Sequence, residues 1–182
     1  MVDLRQDFSF DKLKVKNFVT LSIDEAEFVR SFRNHDDIRK WMYSDDIIPL
    51  QGHINFINSL KENDRNYYWL VEMEEKNIGV ISLNRIDFKH RNAYIGIYAN
   101  PFTALRGKGE LLIRCIKKLA FDYAGLHTLK IEVMDTNEKA INFYKKVGFS
   151  EEGRLKEFVY REGNWHDMII MGIIHGREDY GI

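Results

Sequence analysis

Hydrophobic and polar positions alternate near the start of the chain and then take up helical spacing. Residues 13–21, LKVKNFVTL, alternate as a half-buried strand does. The following tetrapeptide SIDE (22–25) has the S-x-x-E form of a capping box, which predicts a helix that begins after Ser22. Two further short helices are predicted over residues 36–43 and 52–60. The amino-terminal third is therefore predicted to be one strand followed by helices.

Three runs of strand character occupy the middle of the chain. They are YYWLVEM (67–73), IGVISLNRI (78–86) and AYIGIYA (93–99). The connections between them are short and polar, so consecutive runs are expected to pair with each other. This part of the sequence predicts an antiparallel meander.

Helical spacing returns after the tetrapeptide RGKG (106–109), because apolar positions recur three and four residues apart until Gly125. A strand is predicted at 129–134, a helix at 137–148, and two strands around the turn REGN within 157–173. The complete order of elements predicts a mixed α/β fold, with helices packed on the faces of a sheet.

Composition narrows the class of protein. At 182 residues the chain is long enough for one domain with its own core, so residues 1–182 are predicted as a single domain. Its 27 basic and 28 acidic side chains give a net charge of −1, which provides no basic field to recruit nucleic acid. The single cysteine, Cys115, excludes an internal disulfide and fits a reducing compartment. With no run of about 20 apolar residues and no signal-like amino terminus, the sequence predicts a cytoplasmic protein without a membrane partner.

The RGKG tetrapeptide combines two glycines and two cations at the start of a predicted helix. Unpaired N–H groups and the positive end of the helix dipole favour an anion there, and Gly107 and Gly109 let the backbone approach it closely. The spacing matches neither a nucleotide P-loop nor a G-x-G-x-x-G dinucleotide motif. A solvated glycine-rich turn is the alternative, and these four residues alone do not decide between the two.

The order of elements, together with the segments LRGKGE (105–110) and NEKAINFYKKVGF (137–149), resembles the GNAT acyl-CoA N-acetyltransferase family over roughly residues 13–173. Glu110 and Leu111 stand where the family pattern has its last glycine or alanine. The resemblance implies a mostly antiparallel sheet that is splayed at its middle strands, with helices on both faces. It also implies acetyl-CoA as the acetyl donor. The cofactor-binding residues that it implies are Ile97, Tyr98, Leu105, Arg106, Gly107, Lys108, Gly109, Glu110, Asn137, Lys139 and Tyr144.

Asn137 and Tyr144 lie seven residues apart, which is nearly two helical turns, so their side chains share one face of the helix. The resemblance places the pantetheine thioester along that face and makes Tyr144 the general acid that protonates the departing thiolate. A phenol with an ordinary pKa near 10 is protonated at neutral pH and can donate this proton. The alternative is that Asn137 is only a helix cap and Tyr144 only a core residue.

Amine attack on a thioester also needs a group that accepts the ammonium proton and donors that hold the acetyl carbonyl. On the predicted strand LKIEV, Glu132 is the candidate acceptor, with Ser82 on a neighbouring strand as a second member of the proton path. The resemblance assigns the carbonyl to backbone N–H groups near Ile97 and Tyr98. A solvent-facing carboxylate is the alternative reading of Glu132. No acyl-enzyme is expected, because Cys115 lies among apolar helix positions.

The amino-terminal motifs RNH (33–35), WMYS (41–44) and H-x-x-F (53–56) resemble one branch of the family, the N-acetyltransferases of pseudaminic acid biosynthesis. That resemblance implies acetylation of the 4-amino group of UDP-4-amino-4,6-dideoxy-N-acetyl-β-L-altrosamine by direct amine attack, in a pathway that serves flagellin glycosylation. Arginine suits a diphosphate because of its planar donor fork, and aromatic rings suit a nucleobase. The predicted substrate-binding residues are Arg33 and His53 for the diphosphate, Met42, Tyr43 and Phe56 for the base, and Asn84, Arg85 and Tyr94 for the sugar nucleotide.

Two other functions remain open at this point. One is a protein α-amino acetyltransferase of the ribosomal-protein type, because the ending EGRLKEFVYREGNWHDMIIMGI is general to the wider family. The other is a catalytically silent acyl-CoA-binding sensor. No metal is expected, since the histidines lack the spacing of metal ligands. The sequence leaves the oligomeric state open, with a homodimer as one alternative.

Overall fold

The computed structural model describes residues 2–177, and within this range the chain has eight strands and five α-helices. The strands are β1 (Phe8–Phe10), β2 (Leu13–Asn17), β3 (Tyr67–Met73), β4 (Lys76–Asp87), β5 (Asn92–Ala99), β6 (Thr128–Met134), β7 (Ser150–Arg161) and β8 (Asn164–Ile174). The helices are α1 (Ile23–Asn34), α2 (Asp36–Arg39), α3 (Leu50–Ser59), α4 (Lys108–Lys117) and α5 (Glu138–Lys146). None of the described helices is both long and apolar enough to cross a bilayer.

All eight strands form one mixed sheet in the order β1-β2-β3-β4-β5-β6-β8-β7. Neighbouring strands pair antiparallel, with the exception of β5 and β6, which are parallel. The parallel pairing is confined to Asn92–Tyr94 against Thr128–Lys130, and beyond it the two strands are not paired. The expectation of a mostly antiparallel sheet that is splayed at its middle strands is confirmed, and the gap opens between β5 and β6.

Helices cover both faces of the sheet, because successive strand residues point to opposite sides. On β3, Trp69 belongs to the main core, which also contains residues of α4, whereas Leu70 belongs to a second core formed with α1 and α3. Ile81 and Val80 on β4 divide between the two cores in the same way. The predicted mixed α/β architecture with helices on both faces is therefore confirmed.

Local sequence signals account for several element boundaries. The capping box before α1 is present, since Ser22 Oγ accepts from the Glu25 N–H at 3.2 Å and the Glu25 carboxylate accepts from the Ser22 N–H at 2.8 Å. The strand predicted over residues 13–21 ends at Asn17, because the Asn17 side chain accepts from the Val19 N–H at 3.0 Å and caps a 3-10 turn, Phe18–Thr20.

Two predicted elements differ from the structure in length. The helix predicted over 36–43 stops at Arg39, and i→i+3 hydrogen bonds continue the chain as a turn as far as Met42. The last hairpin begins at Ser150 rather than at residue 157. Its strand β7 is an edge strand with exposed residues on both faces, so residues 150–156 carry no hydrophobic alternation to reveal it.

The long amphipathic helix after RGKG is confirmed as a continuous helical segment, but its second part is irregular. Residues Lys118–Tyr123 form a π-helical turn, in which the Ala124 N–H bonds to the Leu119 carbonyl at 2.9 Å. Cys115 is fully buried on the inner face, and burial raises the pKa of its thiol to about 12. The expectation that this cysteine is a core residue and not a nucleophile agrees with that environment.

Candidate active site

The gap between β5 and β6 leaves part of the β5 backbone without a neighbouring strand. The Asn100 N–H bonds to the Ile78 carbonyl at 2.9 Å, which fixes the hydrogen-bonding phase between β4 and β5. Directly opposite residues of an antiparallel pair alternate between bonding each other and facing away. This alternation turns the N–H groups of Ile97 and Ala99 toward the gap, whereas the N–H of Tyr98 faces β4. The backbone amides of Ile97 and Tyr98 are the ones expected to contact the acetyl donor, and only that of Ile97 is directed into the gap. The amide of Ala99 is also directed into the gap, although the sequence did not indicate this residue.

The α4 N-terminus lies after β5 and has the features of an anion site. Gly107 is the N-cap residue with φ of 74°, and no side chain caps the first turn. Lys108 is turned back, and its Nζ donates to the carbonyls of Asn100 and Thr103, both at 2.6 Å. Burial, with a smaller contribution from Lys139, lowers the pKa of Lys108. Arg106 is exposed and has no hydrogen bond or ion pair within residues 2–177.

Other residues expected at this cofactor position differ in their environment. Leu105 is partly buried against the main core. The Glu110 carboxylate forms an exposed ion pair with Lys146 at 3.1 Å, so it lies on the solvent side of the first turn. Lys139 is exposed at the start of α5, and its positive charge contributes to the lowered pKa of Lys108. The cations that remain open to an anion are therefore Arg106 and Lys139.

Packing between α4 and α5 requires a glycine at position 109. A Cβ at this position would lie 2.9 Å from two ring carbons of Phe143 on α5. Such a separation is shorter than carbon–carbon contacts in a packed interior, so a side chain here would force α4 and α5 apart. The glycine therefore sets the distance between the two helices whose N-termini border the site.

We expect Gly109→Ala to destabilise the fold by about 1–3 kcal/mol, because the new methyl group overpacks the contact with Phe143. The free energy of unfolding in urea measures this change. Gly153→Ala is the matched control, since its added Cβ would meet no atom within 4 Å and should change stability by less than about 0.5 kcal/mol. Equal effects of the two substitutions would contradict the packing role of Gly109.

Tyr144 lies on the buried face of α5. Asn137 is the N-cap of α5, and its side chain accepts from the Ala140 N–H at 3.2 Å. The Tyr144 ring is 6% exposed and packs edge-on against Phe143 and Phe149, with centroids 5.3 and 5.5 Å away. Its hydroxyl has no hydrogen-bond partner in the described part of the chain, yet it is not fully enclosed. Burial raises the pKa of this phenol, so the hydroxyl keeps its proton well above neutral pH.

Glu132 on β6 is the centre of a second group of predicted residues. Its Oε2 accepts from the Tyr43 hydroxyl at 2.6 Å and from Arg85 Nη2 at 2.9 Å. The Arg85 guanidinium in turn lies 4.1 Å over the ring of Tyr94. The Glu132 side chain is only 11% exposed, so it is not the solvent-facing carboxylate of the alternative reading. Burial and the bond to Glu132 raise the pKa of Tyr43, which keeps this phenol as a donor.

Arg85 reaches Glu132 from an irregular part of β4. The pairing of β4 with β5 is interrupted between Asn84 and Asp87, and Arg85 has φ of 53°. The Arg85 N–H is satisfied by the Asn66 side chain at 3.0 Å. A bulge with one left-handed residue re-aims the side chain that it carries, which explains how an arginine on β4 meets a glutamate two strands away.

Ser82 and Asn84 form a separate polar group on β4. The Asn84 amide donates to Ser82 Oγ at 2.9 Å, and the Ser82 hydroxyl lies 3.5 Å from the Gly96 carbonyl on β5. Ser82 is 4% exposed. Within residues 2–177 neither side chain bonds to Glu132, so the structure does not join the two members of the predicted proton path.

Arg33 is half-buried at the end of α1 and has an unsatisfied donor. Its Nη2 donates to the Ser44 carbonyl at 2.7 Å, whereas Nη1 is enclosed and has no partner among the described residues. Burial lowers its pKa, and the nearby Tyr98 phenol opposes that change. An enclosed guanidinium nitrogen without an acceptor is costly, so this position favours an anion or another acceptor supplied from outside the chain.

His53, Phe56 and Met42 are not gathered around Glu132. The His53 ring is 4% exposed and lies against Phe18 and Phe56, with Nε2 enclosed and without a partner in the described range. Burial lowers the pKa of His53, so a neutral ring, not a cation, occupies the position expected to contact a diphosphate. Phe56 is 37% exposed beside Tyr68, and Met42 is half-buried in the chain segment before Tyr43.

Two residues of β7 belong to this region although the sequence did not indicate them. The Arg161 guanidinium donates to the carbonyls of Lys40, Met42 and Tyr43. The Phe158 ring is 52% exposed and lies edge-on to the Tyr43 ring, with centroids 6.4 Å apart. Both residues lie on β7, an edge strand whose first half was not predicted. No local sequence pattern marks either residue as part of a site. Among residues 2–177 no three His, Cys, Asp or Glu side chains come together as metal ligands.

Comparison with known proteins finds a matching family and similar proteins along most of the chain. Residues 26–149 match the Acetyltransferase (GNAT) family. The chain is 35% identical over 148 residues to Acetyltransferase PseH of Campylobacter jejuni, a match that covers 81% of this chain and 91% of that protein. The structure of C. jejuni PseH in complex with acetyl coenzyme A has a TM-score of 0.68 at 26% identity and covers 90% of this chain and 99% of that one.

A second kind of relative has an equally extensive likeness. Spermidine N-acetyltransferase from Vibrio cholerae, solved in complex with CoA and spermine, has a TM-score of 0.81 at 25% identity. The match covers 90% of this chain and 95% of that one. Likeness of fold therefore leaves the acetyl acceptor to be argued from the side chains of the site.

Proposed function

Because this chain belongs to the GNAT acetyltransferase family and is an acetyl-CoA-dependent N-acetyltransferase, we propose that it acetylates the 4-amino group of a UDP-linked 4-amino-4,6-dideoxy sugar. UDP-4-amino-4,6-dideoxy-N-acetyl-β-L-altrosamine is the substrate implied by the motifs RNH and WMYS, and the 35% identity to PseH supports the same choice. The proposal places the protein in the cytoplasm, in pseudaminic acid synthesis that leads to flagellin glycosylation.

The observation that carries the choice of acceptor is an enclosed nitrogen of the Arg33 guanidinium that has no partner among the described residues. Arg33 has an enclosed nitrogen without a partner in residues 2–177, close to Tyr98 on β5. A diphosphate oxygen would satisfy this donor once the groups that enclose it move aside, and a charged hydrogen bond of this kind contributes about 1.5–3 kcal/mol. A polyamine, which carries only positive charge, would be repelled by the same guanidinium. The site therefore favours an anionic acceptor over spermidine.

The residues suited to acetyl-CoA lie at the gap and at two helix starts. The N–H groups of Ile97 and Ala99 would bind the pantetheine arm, and the first-turn amides of α4 would bind the pyrophosphate. Arg106 and Lys139 would supply charge to the phosphates. These residues fit a diphosphate carrier because their donors are unpaired within residues 2–177 and because α4 and α5 follow the two splayed strands, β5 and β6, along the chain.

Acetyl-CoA supplies the activated acetyl thioester. In the proposed mechanism Glu132 accepts a proton from the attacking amine, and Arg85 and Tyr43 hold its carboxylate in place. The new C–N bond forms as the C–S bond breaks, and Tyr144 donates its hydroxyl proton to the departing sulfur. Solvent then returns a proton to Tyr144 and removes one from Glu132. Charge and protons balance without a covalent enzyme intermediate.

The test compares three acceptors in the presence of acetyl-CoA: the UDP-amino sugar, spermidine and a peptide with a free α-amino group. Release of free thiol gives the rate, and mass spectrometry of the acceptor identifies the product. We expect acetylation of the UDP-amino sugar. Turnover with spermidine or the peptide, and none with the sugar, would overturn the proposal in favour of a polyamine or ribosomal-protein-type acetyltransferase.

Arg33→Gln should raise the KM for the UDP-amino sugar by about 10–100-fold, because it removes a charged contact worth about 1.5–3 kcal/mol. The KM for acetyl-CoA should change by less than about threefold. Arg114→Gln is the control, since it removes an exposed charge on α4 whose nearest carboxylate oxygen, on Asp11, is 3.9 Å away. Equal KM values for the sugar in both variants would show that Arg33 does not contact the acceptor.

A further inference from the structure

We infer that Arg161 is a positioning residue for the acceptor side of the site. It fixes the chain segment of residues 40–45, called the acceptor loop below, and thereby holds the Tyr43 hydroxyl on Glu132. The inference rests on the proposed function, because it takes the Glu132 group as the place where the amine is deprotonated. Arg161 itself contacts the loop and not Glu132.

The contacts of Arg161 are concentrated on the backbone of one short segment. Its guanidinium donates to the carbonyls of Lys40 and Met42, and Nη2 lies 3.4 Å from the Tyr43 carbonyl. Its Nε lies 3.8 Å from Asp45 Oδ2, and the side chain is 9% exposed. A planar fork of five N–H donors can serve several carbonyls at once, which a lysine ammonium cannot reproduce in the same geometry.

The acceptor loop depends on side chains from elsewhere for its position. Arg33 Nη2 donates to the Ser44 carbonyl, and Arg39 Nη1 donates to the Asp45 carbonyl, both at 2.7 Å. These bonds fix the far end of the loop. In the described part of the chain, Arg161 is the side chain that donates to the carbonyls of Met42 and Tyr43, which flank the Cα of Tyr43. These bonds hold the backbone at Tyr43 in place.

The strand that carries Arg161 is itself anchored against the loop. Three residues of β7, 156–158, stand opposite one residue of β8 between the pairs Leu155–Met168 and Val159–His166. Asp167 stabilises this bulge, because its carboxylate accepts from the Glu157 N–H at 2.8 Å. Beyond the bulge, Val159 packs in a small core against which Trp41 lies, and Arg161 is two residues further on the same face. The hairpin thus contacts the acceptor loop through an apolar group and a guanidinium.

The position of the acceptor loop determines whether Tyr43 contacts Glu132. The Tyr43 hydroxyl lies 2.6 Å from Glu132, and a displacement of the loop by 1 Å would break this hydrogen bond. Loss of Arg161 should therefore impair acceptor binding and proton acceptance while leaving the donor side, at α4 and α5, unchanged. An effect on the acceptor side alone distinguishes a positioning role from a general loss of stability, which would impair both sides.

The test compares Arg161→Gln and Arg161→Lys with Lys156→Gln, a change of an exposed cation on the same strand. For Arg161→Gln we expect the KM of the UDP-amino sugar to rise about 10–30-fold, with the KM of acetyl-CoA unchanged within threefold. Arg161→Lys should recover part of the loss, and Lys156→Gln should behave as the wild type. An unchanged sugar KM, or an equal rise in both KM values, would overturn the inference.

A second measurement does not require turnover. Trypsin cleavage after Arg39 and Lys40, identified by mass, reports how firmly the loop is held, and we expect it to be at least threefold faster in Arg161→Gln. A cleavage rate equal to that of the wild type would overturn the inference. If the wild type acetylates no nucleotide sugar, the proposed function fails, whereas the cleavage rates still decide the role of Arg161. If Arg161→Gln does not fold, Arg161→Lys gives the same comparison.

Discussion

Replacement of Tyr144 by Phe is expected to lower kcat by about 10²–10³-fold while CoA affinity changes by less than about threefold. The hydroxyl has no hydrogen-bond partner in residues 2–177, so its removal leaves no buried group unsatisfied. The ring stays in place because Phe keeps the edge-on packing against Phe143 and Phe149. The loss of rate therefore reports the missing proton donor alone. Steady-state kinetics and calorimetric titration with CoA measure the two quantities.

Tyr160→Phe is the matched control, because this phenol is 61% exposed at the tip of the last hairpin and should not affect turnover. Burial raises the pKa of Tyr144 above its ordinary value near 10, so the donor remains protonated as the pH rises from 7 to 10. Wild-type kcat should show no loss from this group in that range. Full activity in Tyr144→Phe would remove Tyr144 from the mechanism and leave it as a core residue.

Replacement of Glu132 by Gln is expected to lower kcat/KM for the amine by about 10²-fold near neutral pH. Gln has the same shape and its carbonyl can still accept from Tyr43 or Arg85, but it cannot take up the proton of the attacking amine. Because hydroxide and buffer bases can replace the lost group, the deficit relative to the wild type should shrink as the pH is raised toward 9. A pH profile of kcat/KM measures this convergence.

The substitution should have little effect on folding. The Arg85 side chain is 55% exposed, so loss of its ion pair with Glu132 should change the free energy of unfolding by less than about 1 kcal/mol. Glu72→Gln, which removes a carboxylate paired with Lys14 at 3.3 Å far from the gap, controls for the change of charge. A deficit that is independent of pH would indicate that Glu132 positions Tyr43 and Arg85 and does not accept the proton.

The two predictions address the two ends of the proposed reaction. Tyr144 lies on α5 next to Phe143, which packs against Gly109 at the α4 N-terminus, whereas Glu132 lies on β6. Sequence likeness alone gives both Acetyltransferase PseH and spermidine N-acetyltransferases as relatives. In this chain the enclosed nitrogen of Arg33 supports the proposed anionic acceptor, because a buried guanidinium favours an anion and repels a polyamine.

The sequence by itself determined those features that depend on near neighbours along the chain. The capping box at Ser22 and Glu25, the antiparallel meander and the helix that follows the Asn137 cap each follow from local sequence patterns. It also indicated Tyr43, Arg85 and Glu132 as separate candidates, the last two on different strands. Periodicity and caps are local physical effects, so a linear pattern contains them.

Only the tertiary structure decided how these candidates meet. Tyr43 and Arg85 lie 89 and 47 positions from Glu132 in the sequence, and their contacts depend on the splay beyond Tyr94, the bulge at Arg85 and the placement of the acceptor loop by Arg161. The same packing moved His53 into a core position and left an Arg33 nitrogen without a partner in the described residues. Such contacts depend on strand register and helix packing over the whole domain, and these are not encoded in any short segment.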